Sequence, residues 1–332
     1  MTLAQSVLAG ESLALARLLT QVENDSPEGR AALNELFPHT GRAHLIGVTG
    51  APGTGKSSLV NRIALHFRKP PAGTPRRVAV LAVDPSSPFT GGAVLGDRVR
   101  MRDLAGDRGV FIRSMATRGS LGGLAHATAA MAQVFDAAGF DVVLIETVGA
   151  GQAEVDIARL AHTTLVVESP GLGDEIQAIK AGILEIADIL VVNKADLPGV
   201  EHTERALKSM LDLAHPVEKV FLHHGQTMTI HAAGAEIGPL WVPPVQRTVS
   251  LDGSGVAELV EAIDLHAQHL RQSGEWGRRE RARLEAELES LITGTLVAQF
   301  RLRVPEARYD EIVERLLRRE LSPREAVEAL LG

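Results

Sequence analysis

The 332-residue chain contains no cysteine, which excludes disulfides and every thiolate metal site. Aromatic residues make up only 3% of it, so the core is expected to be built from Leu, Val, Ile and Ala. An excess of basic charge is also missing. The formal net charge is -7, which argues against nucleic acid as a partner, because a basic surface is needed to displace counterions. No apolar run approaches the ~20 residues of a membrane span, and the N-terminus lacks a basic segment followed by an apolar run. No membrane partner and a cytoplasmic location are expected.

What the chain has in quantity is aliphatic: hydrophobic residues make up 45%, enough for a substantial core. Residues 2–22 carry Leu3, Val7, Leu8, Leu15, Leu18 and Leu19 near helical spacing, which predicts one amphipathic helix. Ser26-Pro27 reads as an N-cap with proline at the first helical position, opening a second helix that stops before Pro38. Short apolar runs follow at 44–49, 76–83, 141–145, 163–167 and 189–192. Unbroken β-branched runs indicate strands buried on both faces, and helical segments separate them. A loop of the form GxxxxGK[ST] at 50–57 joins the first run to a helical stretch. The predicted fold is therefore α/β: a P-loop NTPase with a doubly wound, mostly parallel sheet and helical arms at both ends. Expected boundaries are 1–41 for the N-terminal arm, 42–270 for the nucleotide domain and 271–332 for the C-terminal arm. Residues 223–244 read as irregular. Leu284, Leu288 and Leu291 lie among Arg and Glu, and Ser322 to Glu325 reads as a capping box. The C-terminal arm either dimerises or folds back on its own domain.

Gly50-Ala51-Pro52-Gly53-Thr54-Gly55-Lys56-Ser57 matches GxxxxGK[ST]. Its glycines let backbone N–H groups turn inward around phosphate, and the next helix adds its dipole. Lys56 would reach the β- and γ-phosphates and the Ser57 hydroxyl would coordinate Mg2+, with Ser58 completing the nucleotide-binding set. Asn193-Lys194-Ala195-Asp196 follows a buried run and has the form NKxD. The Asp196 carboxylate would accept from guanine N1–H and its exocyclic amine, the Lys194 stem would cover the base, and Asn193 would tie the turn to the P-loop. This selects GTP and GDP over adenine nucleotides. Ser250 stands where small GTPases place a backbone contact to the guanine carbonyl.

Asp84 ends the second apolar run, where a carboxylate either holds magnesium or caps the next turn. Glu146-Thr147-Val148-Gly149 resembles DxxG with Glu in the acidic place, and the Gly149 N–H would sense the γ-phosphate. Gln152 follows, a candidate for orienting the attacking water at a spacing unlike that of small GTPases. Asp174, Gln177 and Lys180 recur every three residues on one helix face, which by itself is equally a solvated polar ladder. Arg98, Arg100, Arg113 and Arg118 are candidate arginine fingers. His223, His224 and His231 have no carboxylate or cysteine at metal-site spacing and read as ordinary loop histidines.

Together these blocks resemble the MeaB/ArgK-type GTPases associated with methylmalonyl-CoA mutase. The resemblance runs through residues 47–57, 83–101, 118–125, 146–154, 173–196 and 241–245, with Ser250, Ala150 and Ala153 as small departures. It implies a GTPase, slow without its partner, that assists cofactor loading and protects or reactivates an adenosylcobalamin-dependent acyl-CoA mutase. A cobalamin adenosyltransferase would act alongside, and the protein would be a homodimer. It further implies that Asp84, Asp97 and Glu146 surround magnesium and the switches. Asp174, Gln177 and Lys180 would relay nucleotide state to the mutase. The alternatives are a P-loop kinase of a transport protein, or a GTP-binding switch without hydrolysis.

Overall fold

A computed structural model describes residues 1–85, 101–104, 106–117, 123–147, 153–171, 186–214, 221–223, 226–228 and 241–331. The strands are β1 (His44–Thr49), β2 (Val78–Pro85), β3 (Val110–Thr117), β4 (Val142–Thr147), β5 (Thr163–Glu168), β6 (Ile189–Asn193), β7 (Phe221–His223), β8 (Gln226–Met228) and β9 (Val245–Thr248). Seven of them form one sheet in the order β3-β2-β4-β1-β5-β6-β9, with every pairing parallel. Every residue of β1, β4, β5 and β6 is buried, as unbroken apolar runs require when helices cover both faces. Strands β4, β2 and β3 lie on one side of β1 and strands β5, β6 and β9 on the other, so the strand order reverses at β1. Their C-terminal ends beside β1 therefore form the crevice where such sheets bind ligands.

The helices are α1 (Leu3–Leu8), α2 (Ser12–Glu23), α3 (Pro27–Leu36), α4 (Lys56–Arg68), α5 (Gly123–Ala137), α6 (Ala153–Leu160), α7 (Val200–Ala214), α8 (Val256–Ser273), α9 (Glu275–Arg303), α10 (Glu306–Leu317) and α11 (Pro323–Leu331). On one face of the sheet, Leu59, Ile63 and Phe67 of α4 and Leu259 and Ile263 of α8 pack on Ile46, Val48, Leu165 and Ile189. On the other, Met131 and Phe135 of α5 and Ile157 of α6 cover Leu81, Val143 and Ile145, while Leu207 and Leu211 of α7 cover Leu190 and Val192. The aliphatic core expected from the composition is present, with Phe111, Phe135 and Phe140 as an aromatic cluster at ring separations of 5.7 and 5.6 Å.

The N-terminal arm is a third layer. Leu15, Leu18, Leu19 and Leu36 join the α5 core, and Arg113 of β3 pairs with Glu23 of α2 at 2.5 Å. The expected single helix over 2–22 is in fact two. Gly10 at φ +84 breaks it, and a Thr2–Gln5 capping box opens the first piece. At the start of the stretch read as irregular, β7 and β8 pair antiparallel.

Contacts divide the chain between Arg281 and Ala282 into two compact units. The first holds the sheet, α1–α8 and the root of α9. In the second, Ile312 of α10 and Ala326 of α11 are buried, Arg308 Nη2 donates to the Ala329 carbonyl at 2.6 Å, and Ser322 caps α11 reciprocally with Glu325. Along α9, Leu288, Leu291, Ile292 and Leu296 are exposed. Among the described residues no helix is long and apolar enough to cross a membrane.

Candidate functional site

The glycine loop leaves β1 and re-enters α4 under two close approaches that only glycine allows. Gly50 lies at φ +135, and a Cβ there would sit 2.1 Å from the Val167 carbonyl oxygen of β5. Gly55, the N-cap of α4, lies at φ +89, and its Cβ would meet Asn193 Nδ2 at 2.6 Å. A side chain at either position would push the loop off the sheet. Lys56 is buried, and its Nζ donates to the carbonyls of Gly50 at 2.8 Å and Ala51 at 2.9 Å. Thr54 donates its hydroxyl to the Ala51 carbonyl at 3.0 Å. Pro52, Gly53 and Ser58 are exposed and Ala51 and Ser57 half-buried. The ammonium, the glycine turn and the first-turn N–H groups of α4 thus converge, as an anion site requires.

Strand β4 lies directly beside β1, with Val48 opposite Glu146. The Ser57 hydroxyl donates to Glu146 Oε1 at 2.6 Å, and one strand end is laced to the other by Thr147 donating to Thr49 at 3.0 Å. A hydroxyl and a buried carboxylate in contact are hard oxygen donors suited to magnesium. Among the described residues no three His, Asp or Glu side chains cluster as a metal site. Asp84 is at the C-terminal end of β2, paired in register with Ala116. The sheet order puts β4 between it and β1. Asp97, Gly149, Gln152, Asp174, Gln177 and Lys180 lie outside the described residues, as do Arg98, Arg100 and Arg118. Arg113 is described, and its guanidinium is committed to Glu23 and Thr20 of the arm.

At the end of β6, Asn193 is a hub. Its Nδ2 donates to the Thr54 carbonyl at 2.8 Å, and its Oδ1 accepts from Thr248 Oγ1 at 3.1 Å and from Ser250 N and Oγ at 3.2 and 2.8 Å. Lys194 sits at φ +57, and its Nζ reaches over the loop to the Gly53 carbonyl at 2.6 Å. Ala195 N–H donates to the Thr248 carbonyl at 3.0 Å, and Asp196 is exposed at the rim. The P-loop, the Asn193–Asp196 turn and the Ser250 loop are thereby one connected body. Arg62 of α4, which no motif signals, also joins it by donating to the Ser250 carbonyl at 2.8 Å.

Perturbed titration appears at the opposite edge of the sheet, where β1, β5 and β6 begin. His44 Nε2 contacts Thr163 Oγ1 at 2.7 Å, Thr163 Oγ1 contacts His266 Nδ1 at 2.9 Å, and His266 Nε2 lies 3.3 Å from Asp188. Arg279 binds Asp188 through both terminal nitrogens at 2.8 Å. Thr163 Oγ1 thus bridges the two imidazoles, and His266 links that bridge to the Asp188 carboxylate. Burial, reinforced by His162 and His266, pushes His44 well below 6.5. Burial works to raise Asp188, yet hydrogen bonds from His266 and Arg279 hold it at about 2.

Comparison with known proteins agrees with this geometry. The family model described as "Methylmalonyl Co-A mutase-associated GTPase MeaB" matches residues 15–304. A protein of Pyrococcus horikoshii named as a GTPase is 44% identical over 97% of this chain and 94% of its own length. GTPase ArgK of Escherichia coli is 35% identical over 84% of this chain and 83% of its own. A crystal structure described as LAO/AO transport system kinase superposes with a TM-score of 0.66 at 26% identity, covering 99% of this chain and 95% of that one. The loop, the parallel sheet and the matched span lead to one assignment: the chain belongs to the MeaB family of methylmalonyl-CoA mutase-associated GTPases.

Proposed function

We propose that the protein is a GTP-hydrolysing chaperone, slow on its own, for an adenosylcobalamin-dependent acyl-CoA mutase. It uses GTP turnover to govern cofactor loading and to protect or reactivate that enzyme. The observation that carries the nucleotide chemistry is the Ser57–Glu146 contact of 2.6 Å at the mouth of the P-loop, in a loop bonded through Asn193 to the proposed base site. The family's association with methylmalonyl-CoA mutase supports an enzyme of that class as the client.

In this reading Lys56 neutralises charge on the β- and γ-phosphates, and the loop N–H groups of 50–58 orient them. Ser57, Asp84, Asp97 and Glu146 hold magnesium, directly or through water. Bound there, the ion neutralises charge on the phosphate oxygens. Gly149 senses the γ-phosphate and Gln152 orients the attacking water. Lys194, Asp196 and Ser250 read guanine, and Asn193 ties their loops to the P-loop. Asp174, Gln177 and Lys180 carry the nucleotide state to the mutase. The arm over 271–332, with its exposed Leu288, Leu291, Ile292 and Leu296, serves a cytoplasmic homodimer, and an adenosyltransferase delivers the cofactor.

The test is to load apo-mutase with adenosylcobalamin in the presence of this protein. GTP is expected to complete loading, while a non-hydrolysable analogue stalls it. Equal loading with both nucleotides would remove hydrolysis from the proposal. A second reading, a kinase, is favoured by the name of the 26%-identical crystal structure. Incubation with γ-labelled GTP and candidate acceptor proteins separates the two: label found only in free phosphate rules the kinase out.

A further inference from the structure

Two consecutive carbonyls of the loop after β9 are held by one side chain of α4. Arg62 donates from Nε to the Ser250 carbonyl at 2.8 Å and from Nη2 to the Leu251 carbonyl. From the opposite side, Asn193 Oδ1 takes the Ser250 N–H and hydroxyl. A trans peptide is planar, with its carbonyl and N–H directed oppositely. Fixing the Ser250 carbonyl against α4 therefore turns the Leu251 N–H away from α4, and fixing the Leu251 carbonyl does the same for the Asp252 N–H. Among the described residues the Leu251 N–H has no intramolecular acceptor. Its residue is 80% exposed although Ser250 is buried. The loop is also bonded to the Asn193–Asp196 turn, both by Asn193 and by the Ala195 N–H to the Thr248 carbonyl at 3.0 Å.

We propose that Arg62 is a specificity-determining positioning residue: it orients the 250–252 peptides so that the Leu251 N–H meets the 6-carbonyl of guanine. The inference rests on the reading of the 193–196 turn as the base site. Its chemistry is a matter of donors and acceptors. Guanine presents an acceptor at position 6, whereas adenine presents an amine that opposes an N–H. A guanidinium is a rigid fork able to hold two carbonyls at once. The point-like ammonium of lysine holds one well. Arg62 touches no part of the nucleotide in this scheme and acts only through the peptides it fixes.

Titration of the full-length protein with GDP, IDP and ADP tests this, using R62A, R62K and D196A beside the parent. IDP keeps the 6-carbonyl and lacks the 2-amino group, so it separates the two halves of the base site. R62A is expected to weaken GDP and IDP alike by about tenfold, roughly one base hydrogen bond, and to leave ADP unchanged. R62K keeps the charge and one carbonyl bond and should fall between R62A and the parent. It answers the same question should R62A fold poorly. D196A should instead lower GDP relative to IDP. GDP affinity within about twofold of the parent in both Arg62 variants, or equal weakening of GDP, IDP and ADP, would overturn the role of Arg62 alone. An unchanged GDP-to-IDP ratio in D196A would overturn the base-site reading itself, and the proposal with it.

Discussion

Asn193 makes four hydrogen bonds with one amide, joining Thr54 of the P-loop to Thr248 and Ser250. It is 1% exposed, so truncation leaves several buried donors and acceptors without partners, each worth roughly 1–3 kcal/mol. N193A should lose about 3 kcal/mol in urea unfolding and bind GDP more weakly, because the glycine loop and the base turn come apart together. Unchanged stability would mean that water replaces the amide. Asn193, Lys56 and Ser57 were legible in the sequence because their spacing is a motif. Arg62 was not. It stands on α4 between the buried Asn61 and Ile63 with nothing in its neighbours to single it out, and its significance depends on a loop 188 residues away. Arg113 was one of four arginines that the sequence could not rank. It lies close in sequence to the switch candidates, yet β3 is an edge strand and turns it to Glu23.

At the scale of elements, the strands that end in nucleotide loops begin in a buried polar chain. β1 starts at His44, β5 at Thr163 and β6 one residue after Asp188, and α8 and the root of α9 bond to them through His266 and Arg279. Because burial depresses His44 below 6.5, the unfolded chain takes up a proton that the folded one refuses. Stability should therefore fall as pH drops below about 6.5, by up to ~1.4 kcal/mol per unit from this group. Asp188 acts in a separate window: its contribution is present above 3.8 and is lost as pH falls through about 2. H44Q retains an amide donor near the Nε2 position and cannot titrate. Urea unfolding at several pH values between 7.5 and 5 should show a shallower acid slope in H44Q than in the parent, and equal slopes would remove His44 from the account. The five interior runs were readable as strands because burial on both faces suppresses alternation. β3 and β9 were not, since an edge strand buries less and carries Arg113 or Gln246 and Arg247 within it. The break at Gly10 was hidden because a helix tolerates one glycine at modest cost. Only its φ of +84 marks a turn.

For the whole molecule, the parallel sheet, the P-loop and the family were all legible, because each rests on local patterns repeated along most of the chain. The arms were legible as helices, but what they pack on was not. The N-terminal arm spends Leu15, Leu18, Leu19 and Leu36 on the sheet domain, a partner hundreds of residues of pattern could not name. The division at Arg281 and Ala282 falls inside one continuous helix, where periodicity has nothing to register. In the proposed function the nucleotide site answers to a client enzyme, and phosphoryl transfer by positioning alone leaves room for a partner to complete the site. The most direct measurement is the steady-state rate of GTP hydrolysis with and without a purified adenosylcobalamin-dependent acyl-CoA mutase, K56A serving as the blank. Turnover should be slow alone, rise at least about tenfold with the mutase, and be absent in K56A under both conditions. A rate that no such mutase changes would contradict the proposed function.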